Sequence, residues 1–529
     1  MGWLDYLVMG VQAVFLGPEA FSVFGIPVSV TVAMVAAGLV TGVIVGATPG
    51  LAGPMAMAIA LPILIASFGY SADALLPVLG FLIGIMKGAT LGGAVPAILF
   101  NTPGTPDAFM TTLDGHPMAK RGEAKKALRV AHVSSVTGDT TSDIVLLLCA
   151  PFLAVLVEAY LFLPEKTALL ILSLTFIAAV IGKSLARGLI AMGLGLLVAS
   201  VGTGQDFHPR LTFGFTPLAN GFSMEAVILG VLILGEVFAR IEDMMRARRA
   251  EQPQIAALPT QHPGSLRLTD LRRLAPYVAV SSAIGTAIGA LPGIGSTLAA
   301  TLGYTTGKHI HARRAAPDAR PFGEGAPEGL AATEAANSSV SGANLIPVLS
   351  LGIPGNAAAV FLILAAESIG GFNPGPAVFR MPEVGVNPEL VIAFGIFAIM
   401  FLANLLNWTI GGGLMRAAGV LVRVPLPILM PSVLLLTLTA IYVQSPQMSS
   451  IVIAMGFGFL GWLMRRLGIS PLPFVIAFIL AAPLERTARQ AFSATGGDPW
   501  FLFSSATSTA LMLLAGAVVL LTLLLRRRN

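Results

Sequence analysis

The feature that most constrains this chain is a series of apolar runs separated by clusters of Lys and Arg. Runs such as Ile144–Leu163, Leu390–Ile410 and Ala506–Leu525 hold about 20 residues each, enough at about 1.5 Å per residue to span a hydrocarbon core about 30 Å thick. Ala168–Ile181, Leu189–Val201, Ala226–Phe238, Leu426–Tyr442, Ile451–Leu463 and Phe474–Ala482 are shorter, which fits Gly-rich helices that are tilted or partly buried. Only 11% of the residues are charged and 55% are hydrophobic, whereas an average soluble protein carries about 25% charged residues. So few charges cannot coat a soluble globule of this size, and the chain is far from disordered composition. The expected fold class is an all-α polytopic membrane protein with about 12 to 14 membrane segments.

The basic residues report topology. The first Lys or Arg is Lys87, so the N-terminal stretch lacks the basic region of a secretory signal. Clusters follow at Lys120–Arg129, Lys183–Arg187, Arg240–Arg273, Lys308–Arg320, Arg416–Arg423, Arg465–Arg466 and Arg526–Arg528, and together they hold 25 of the 31 basic residues. By the positive-inside rule these loops, and the C-terminus, face the cytoplasm. The same rule accounts for the net charge of +5, so no nucleic-acid partner is inferred; membrane lipid is the expected surrounding. A single cysteine, Cys149, and six histidines without H-E-x-x-H spacing leave no metal site or cofactor to propose.

The chain repeats itself. Gly46–Gly53 (GATPGLAG) matches Gly289–Ser296 (GALPGIGS), and Pro96 precedes Pro103-Gly104 by the same spacing as Pro347 precedes Pro354-Gly355. The loop at Ser67–Asp73 carries no basic residue, whereas its counterpart Lys308–Arg320 is basic. Lys120–Arg129 is basic, whereas Gly370–Pro388 balances Arg380 with Glu383. Corresponding loops therefore face opposite sides, as in inverted repeats of secondary transporters. The expected organisation is an N-terminal interfacial segment (1–25), a first transmembrane repeat (26–239), a cytoplasmic linker (240–273) and a second, inverted repeat (274–529).

Pro-Gly within apolar sequence ends one half-helix and begins another, because Pro removes a backbone donor and Gly permits positive φ. Irregular backbone at membrane depth is tolerated only inside protein or along a cavity. The residues at these breaks are the substrate-binding candidates: Thr48, Pro49 and Gly50; Asn101, Thr102, Pro103, Gly104 and Thr105; Pro292, Gly293, Gly295 and Ser296, with Thr297; and Pro354, Gly355 and Asn356. Half-helix N-termini with hydroxyl and amide side chains can cradle a carboxylate, and unwound carbonyls can hold a cation. The polar stretch Glu328–Asn344 is expected to line an aqueous site, with Glu334, Asn337, Ser338 and Asn344 as candidates for a coupling Na⁺ or H⁺. Asp107, Asp139, Asp143, Glu158, Glu225, Glu236 and Glu367 are ionisable groups in or near membrane segments; an interfacial position accounts for most of them equally well. Lys87, flanked by Gly84 and Gly88, either reads substrate charge or snorkels.

The runs Gly92–Thr105 (GGAVPAILFNTPGT), Leu113–Ala119 (LDGHPMA), Arg210–Gly214, Glu334–Asn337, Leu351–Gly355 and Asn373–Pro376 resemble the large membrane subunit of the tripartite tricarboxylate transporters, over about residues 20 to 500. The resemblance implies an ion-gradient-driven importer of di- and tricarboxylates. It also implies two partners, a small membrane subunit and a periplasmic solute-binding protein. An ATP-driven pump is disfavoured, because Ile177 stands where the phosphate loop ending in Gly182-Lys183-Ser184 requires Gly. A passive organic-anion channel and an intramembrane enzyme built on Asp139 and Asp143 are the alternatives, and no catalytic residue is assigned.

Overall fold

The computed structural model describes residues 2–48, 51–181, 184–203, 208–247, 266–314, 319–421 and 426–526. Pro49 and Gly50, most of the expected linker (248–265), and Lys183, Arg423, Arg527 and Arg528 lie outside the described residues. Among the described residues the structure is helices and loops apart from two short hairpins, Glu19–Val23 with Ile26–Ser29 and Gly202–Thr203 with Pro209–Arg210. In order, the helices are α1 (Trp3–Phe15), α2 (Val30–Ala47), α3 (Gly53–Phe68), α4 (Ala72–Phe100), α5 (Thr111–Met118), α6 (Ala124–Tyr160), α7 (Leu163–Ile181) and α8 (Leu185–Ala199). Then come α9 (Met224–Ile228), α10 (Gly235–Ala247), α11 (Leu268–Gly289), α12 (Ser296–Arg314), α13 (Pro327–Ala343), α14 (Leu345–Leu351) and α15 (Ala357–Ile369). The last are α16 (Pro388–Leu406), α17 (Gly412–Leu421), α18 (Leu426–Gln444), α19 (Met448–Arg466), α20 (Pro471–Ala494) and α21 (Ala506–Arg526).

Among the described residues, eight helical segments are long and apolar enough to cross a membrane, and five shorter apolar helices accompany them. The 12 to 14 segments expected from sequence take in both kinds. The chain is thus an all-α, multi-pass membrane protein. It divides into two compact units, residues 1–154 with 252–428 and residues 155–251 with 429–529. Each unit draws on both halves of the sequence.

Lipid supplies no hydrophobic force between helices, so close backbone approach through small residues has to hold them together. In the first unit α2 and α4 meet along two facing glycine rows. A Cβ on Gly38, Gly42 or Gly46 would overlap the backbone of Phe81, Ile85 or Ala89, and one on Gly84, Gly88 or Gly92 would overlap that of Val35, Leu39 or Val43. The same device seats α11 and α6 on α13, through Gly285 against Ala336 and Gly138 against Ala335. Helix α6 begins some twenty residues before the apolar run Ile144–Leu163, and its polar first half buries Ser134, Ser135, Asp139, Ser142 and Asp143 rather than forming a loop.

In the second unit, α7 and α8 pack on α20, and α7 also on α21. The turn Leu229–Leu234, between α9 and α10, is a π-helix packed on α19. Arg465 donates to the Val231 and Leu232 carbonyls, each at 2.9 Å, and pairs with Glu236 at 3.0 Å. An arginine fork thereby satisfies carbonyls in a widened turn.

Candidate functional site

Three of the four breaks are described closely enough to compare. Helix α4 runs through Pro96 and stops at Asn101, whose φ of 54° and ψ of 25° are left-handed. The Thr102 N–H returns to the Pro96 carbonyl at 3.3 Å. In the second half, α14 stops at Gly352 with φ 71° and ψ 21°, and the Ile353 N–H returns to the Pro347 carbonyl at 3.1 Å. One backbone device therefore recurs at the paired positions, with Asn in one copy and Gly in the other. These are the two residues that tolerate the left-handed cap, so Asn101 has a backbone reason to be where it is. Asn356 has one as well: its Oδ1 accepts the Ala359 N–H at 2.8 Å and caps α15.

The breaks lie against one another within the first unit. The Gly293 N–H, at φ 86°, donates to the Gly355 carbonyl at 3.0 Å, joining the Pro292 and Pro354 breaks. The Thr297 hydroxyl, in the first turn of α12, donates to Asp107 Oδ1 at 2.7 Å and joins the Pro292 break to the one at Pro103. A Cβ on Gly104 would overlap the Gly46 carbonyl, which ties the Pro103 break to the end of α2, just before Thr48. Thr105 packs on Gly93, and the Thr48 hydroxyl returns to the Ile44 carbonyl at 2.8 Å. Gly295 is exposed and Ser296, partly exposed, begins α12. Asp107 already places a carboxylate at the start of α12, where the helix dipole favours negative charge.

Helix α13 connects these breaks to a second polar cluster. Every residue from Glu328 to Ala343 is buried, which replaces the expectation of a segment lining water. Its far end, Asn344, is buried beside the break. A Cβ on Gly355 would stand 2.8 Å from Asn344 Oδ1, and both side-chain amide atoms of Asn344 lack a hydrogen-bond partner. The buried Thr286 hydroxyl, one turn before the end of α11, is unpartnered as well. Such orphaned groups are costly unless something meets them. Gly293, Gly355 and Asn344 therefore meet at a buried point where polar side-chain atoms are left without a hydrogen-bond partner. The apolar cavity lined by Leu79, Ile83, Leu345, Val348 and Ile396 presents no such groups.

Further along α13, Glu334 accepts from Thr111 of α5 and from Ser135 of α6, the latter at 2.9 Å. Ser338 donates to Ser135 at 2.8 Å, and Ser341 donates to Asp139. The Asn337 Oδ1 is buried without a partner. Among the coupling-ion candidates, Glu334 and Ser338 thus belong to one hydrogen-bonded network, and Asn344 belongs to the breaks.

Beside this network sits a cluster whose members the sequence offers only separately. Lys87 Nζ lies 2.8 Å from Asp139 Oδ1 and 2.8 Å from Asp143 Oδ2, with its side chain fully enclosed. Asn404 of α16 accepts from Lys87 at 3.2 Å and donates to Asp143 at 2.7 Å. One expectation is corrected here. Lys87 neither snorkels nor points at a free site, because two carboxylates hold it. Asp139 and Asp143 both lie in the middle of α6 and are buried in protein. Glu158, near the end of that helix, pairs with Lys166 at 3.0 Å. Asn404, Ser135 and Thr111 escaped the sequence reading; the one available signal was that a lysine buried in apolar sequence requires an acid partner.

On the side of the basic loop, the backbone is clamped. Asp114 Oδ1 accepts the N–H groups of Gly323, Gly325 and Ala326 at 2.8 to 2.9 Å. Arg320 holds Glu123 through a fork at 2.5 and 2.9 Å. That hydrogen-bonded carboxylate raises the Arg320 pKa further above its usual value.

The family model described as "Tripartite tricarboxylate transporter TctA family" matches residues 32–476. Two relatives come from Agrobacterium vitis. The "Uncharacterized 52.8 kDa protein in TAR-I ttuC' 3'region" is 29% identical over 435 residues, covering 81% of this chain and 82% of the relative. The "Uncharacterized protein in TAR-II ttuC' 3'region" is 29% identical over 191 residues, covering 36% of this chain and 76% of the relative. No solved structure matches.

Proposed function

The chain belongs to the tripartite tricarboxylate transporter TctA family, and from that premise we propose that it imports organic anions, di- or tricarboxylates, against their gradient. As a member it is a tricarboxylate transporter subunit in a multi-pass membrane protein, not an enzyme. In our reading a periplasmic solute-binding protein delivers the anion, a small membrane subunit completes the assembly, and a gradient of Na⁺ or H⁺ drives uptake. The membrane is the bacterial inner membrane, with the C-terminus in the cytoplasm. The two halves are inverted repeats, and the carrier alternates access, in elevator fashion, around the breaks.

The observation that carries this reading is the Gly293-to-Gly355 hydrogen bond beside the orphaned Asn344 amide. It brings irregular backbone from two separate breaks together at a buried polar point. Such a point can take a carboxylate through N–H and amide donors without a fixed cation.

The test is uptake of a labelled tricarboxylate into proteoliposomes, with both partners supplied and Na⁺ or pH gradients imposed. Accumulation above equilibrium supports gradient-driven import. Equilibration without accumulation supports a passive channel instead, and no uptake under any gradient sinks the reading. Asn344→Leu, which keeps the branched heavy-atom shape but removes both polar atoms, is expected to abolish uptake while membrane insertion is retained. Asn101→Gly is expected to preserve uptake if that side chain serves the backbone alone. Loss of uptake in Asn101→Gly would place its amide on the substrate.

A further inference from the structure

The Lys87 cluster takes no part in the breaks, yet its charge does not balance. One ammonium faces two carboxylates, which leaves a net charge of −1 inside the first unit, with all three side chains buried. Arg416 of α17, a helix packed on α4 and α2, is exposed and donates to the Gly412 carbonyl at 3.0 Å. Helix α2 contains no charged residue, α16 has only Glu389 in its first turn, and the other charged residue of α4 is Asp73 in its first turn. On α6 the flanking titratable groups are Cys149, exposed and six residues after Asp143, and His132, seven residues before Asp139, whose Nε2 is hydrogen-bonded to the Asn407 carbonyl at 2.9 Å. On α13, Glu334 is held by Thr111 and Ser135, and Glu328 is paired with Arg273. An isolated charge in a low-dielectric interior is expensive, so the cluster has a strong demand for one more positive charge.

The geometry says where that charge goes and in what form. Asp143 Oδ2 receives both Lys87 and Asn404, whereas Asp143 Oδ1 is buried and has no hydrogen-bond partner. Helix α13 presses directly on that oxygen. A Cβ on Gly342 would overlap Asp143 Oδ1 and would stand 2.5 Å from the Ser142 hydroxyl. A metal cation needs a shell of oxygens around it, and the α13 backbone occupies that space. A proton needs no shell.

We propose that the Lys87–Asp139–Asp143 cluster is the proton-coupling site of this carrier. One proton from a hydronium ion forms an O–H bond at Asp143 Oδ1, releasing water and bringing the cluster from −1 to neutral, and it leaves to water again on the opposite side. The neutral cluster can travel through the low-dielectric region with the anion, and the charged one resists that passage. His132, whose ring packs on Gly411 and Gly412 where the π-turn Asn407–Gly411 meets α17, stands on α6 between the cluster and the basic residues Lys125, Lys126 and Arg129 and marks an exit for the proton. This inference rests on the reading of the chain as a gradient-driven carrier.

Two measurements test it on the full chain, and one does not depend on transport. Infrared difference spectra of wild type against Asp143→Asn, recorded across a pH titration, are expected to show a protonated-carboxyl stretching band that titrates in wild type and is absent from the variant. In proteoliposomes, wild type is expected to accumulate labelled tricarboxylate under a pH gradient alone. Asp143→Asn is expected to keep exchange of labelled for unlabelled anion while losing that accumulation. Absence of the band, or accumulation that follows Na⁺ alone and is unchanged in Asp143→Asn, overturns the proposal while the carrier reading stands. Failure of wild type to exchange any anion overturns the carrier reading, and the coupling role with it. If Asp143→Asn is not recovered folded, Asn404→Leu removes one donor to Asp143 and must shift the pH midpoints of the band and of uptake together. No shift in either overturns the proposal.

Discussion

Helices α13 and α21 are opposites in composition and in placement. Helix α13 (PEGLAATEAANSSVSGA) carries two glutamates, an asparagine, a threonine and three serines, and is buried from Glu328 to Ala343. Helix α21 is a nearly unbroken apolar run, and only 11% of its spanning window is buried inside the protein. In water the two would change places. In a bilayer the solvent is hydrocarbon, so apolar side chains cost nothing outside, and polar groups must be satisfied by protein inside. The polar helix becomes the core because its small residues admit close neighbours and its hydroxyls and carboxylates find partners on α5 and α6.

That contrast can be broken or sharpened by substitution, beginning where the effect is largest. Lys87→Met leaves two buried carboxylates without their cation and is expected to cost about 3 to 5 kcal/mol, measured as unfolding of the detergent-solubilised protein. Adding Asp139→Asn and Asp143→Asn to it is expected to restore most of that stability. A single variant as stable as wild type would mean that the cluster is wet. Gly138→Leu forces a side chain into the Ala335 carbonyl of α13; overpacking of this kind costs about 1 to 3 kcal/mol, and the helix pair is expected to loosen by that much in the same assay. Asn356→Ala removes the α15 cap, a loss of about 1 kcal/mol, seen as a lower melting midpoint. Leu513→Ala, at a residue of α21 that is 67% exposed, is expected to stay within about 0.5 kcal/mol of wild type. If it destabilised as much as Gly138→Leu, the view of α21 as a solvent-facing helix would fail.

Several elements were legible beforehand because their causes are local. Length and apolarity announce a membrane helix, and Pro-Gly announces a break wherever it falls. The spacing of Pro96 from Pro103 and of Pro347 from Pro354 foreshadowed a shared cap, seen in the returns of Thr102 and Ile353 to the two prolines. Asn101 and Asn356 were legible as break residues, yet their roles as a left-handed cap and an N-cap depend on backbone angles that composition does not carry. The polar run at Glu328–Asn344 stood out equally well, but whether it meets water or protein depends on what surrounds it.

The sequence alone determined that this chain must live in a membrane, that its helices are interrupted at paired places, and that its few charges within apolar segments demand an explanation. Those are properties of neighbours along the chain, where chemistry and spacing suffice. Only the tertiary structure decided which charges answer one another. Lys87 meets Asp143 across 56 residues and Asn404 across 317, and Gly293 meets Gly355 across a whole buried helix. Such pairings are set by the close approach of glycine-lined helices. In a low-dielectric interior that approach determines whether a charge is balanced, and at the Lys87 cluster it leaves Asp143 Oδ1 unanswered.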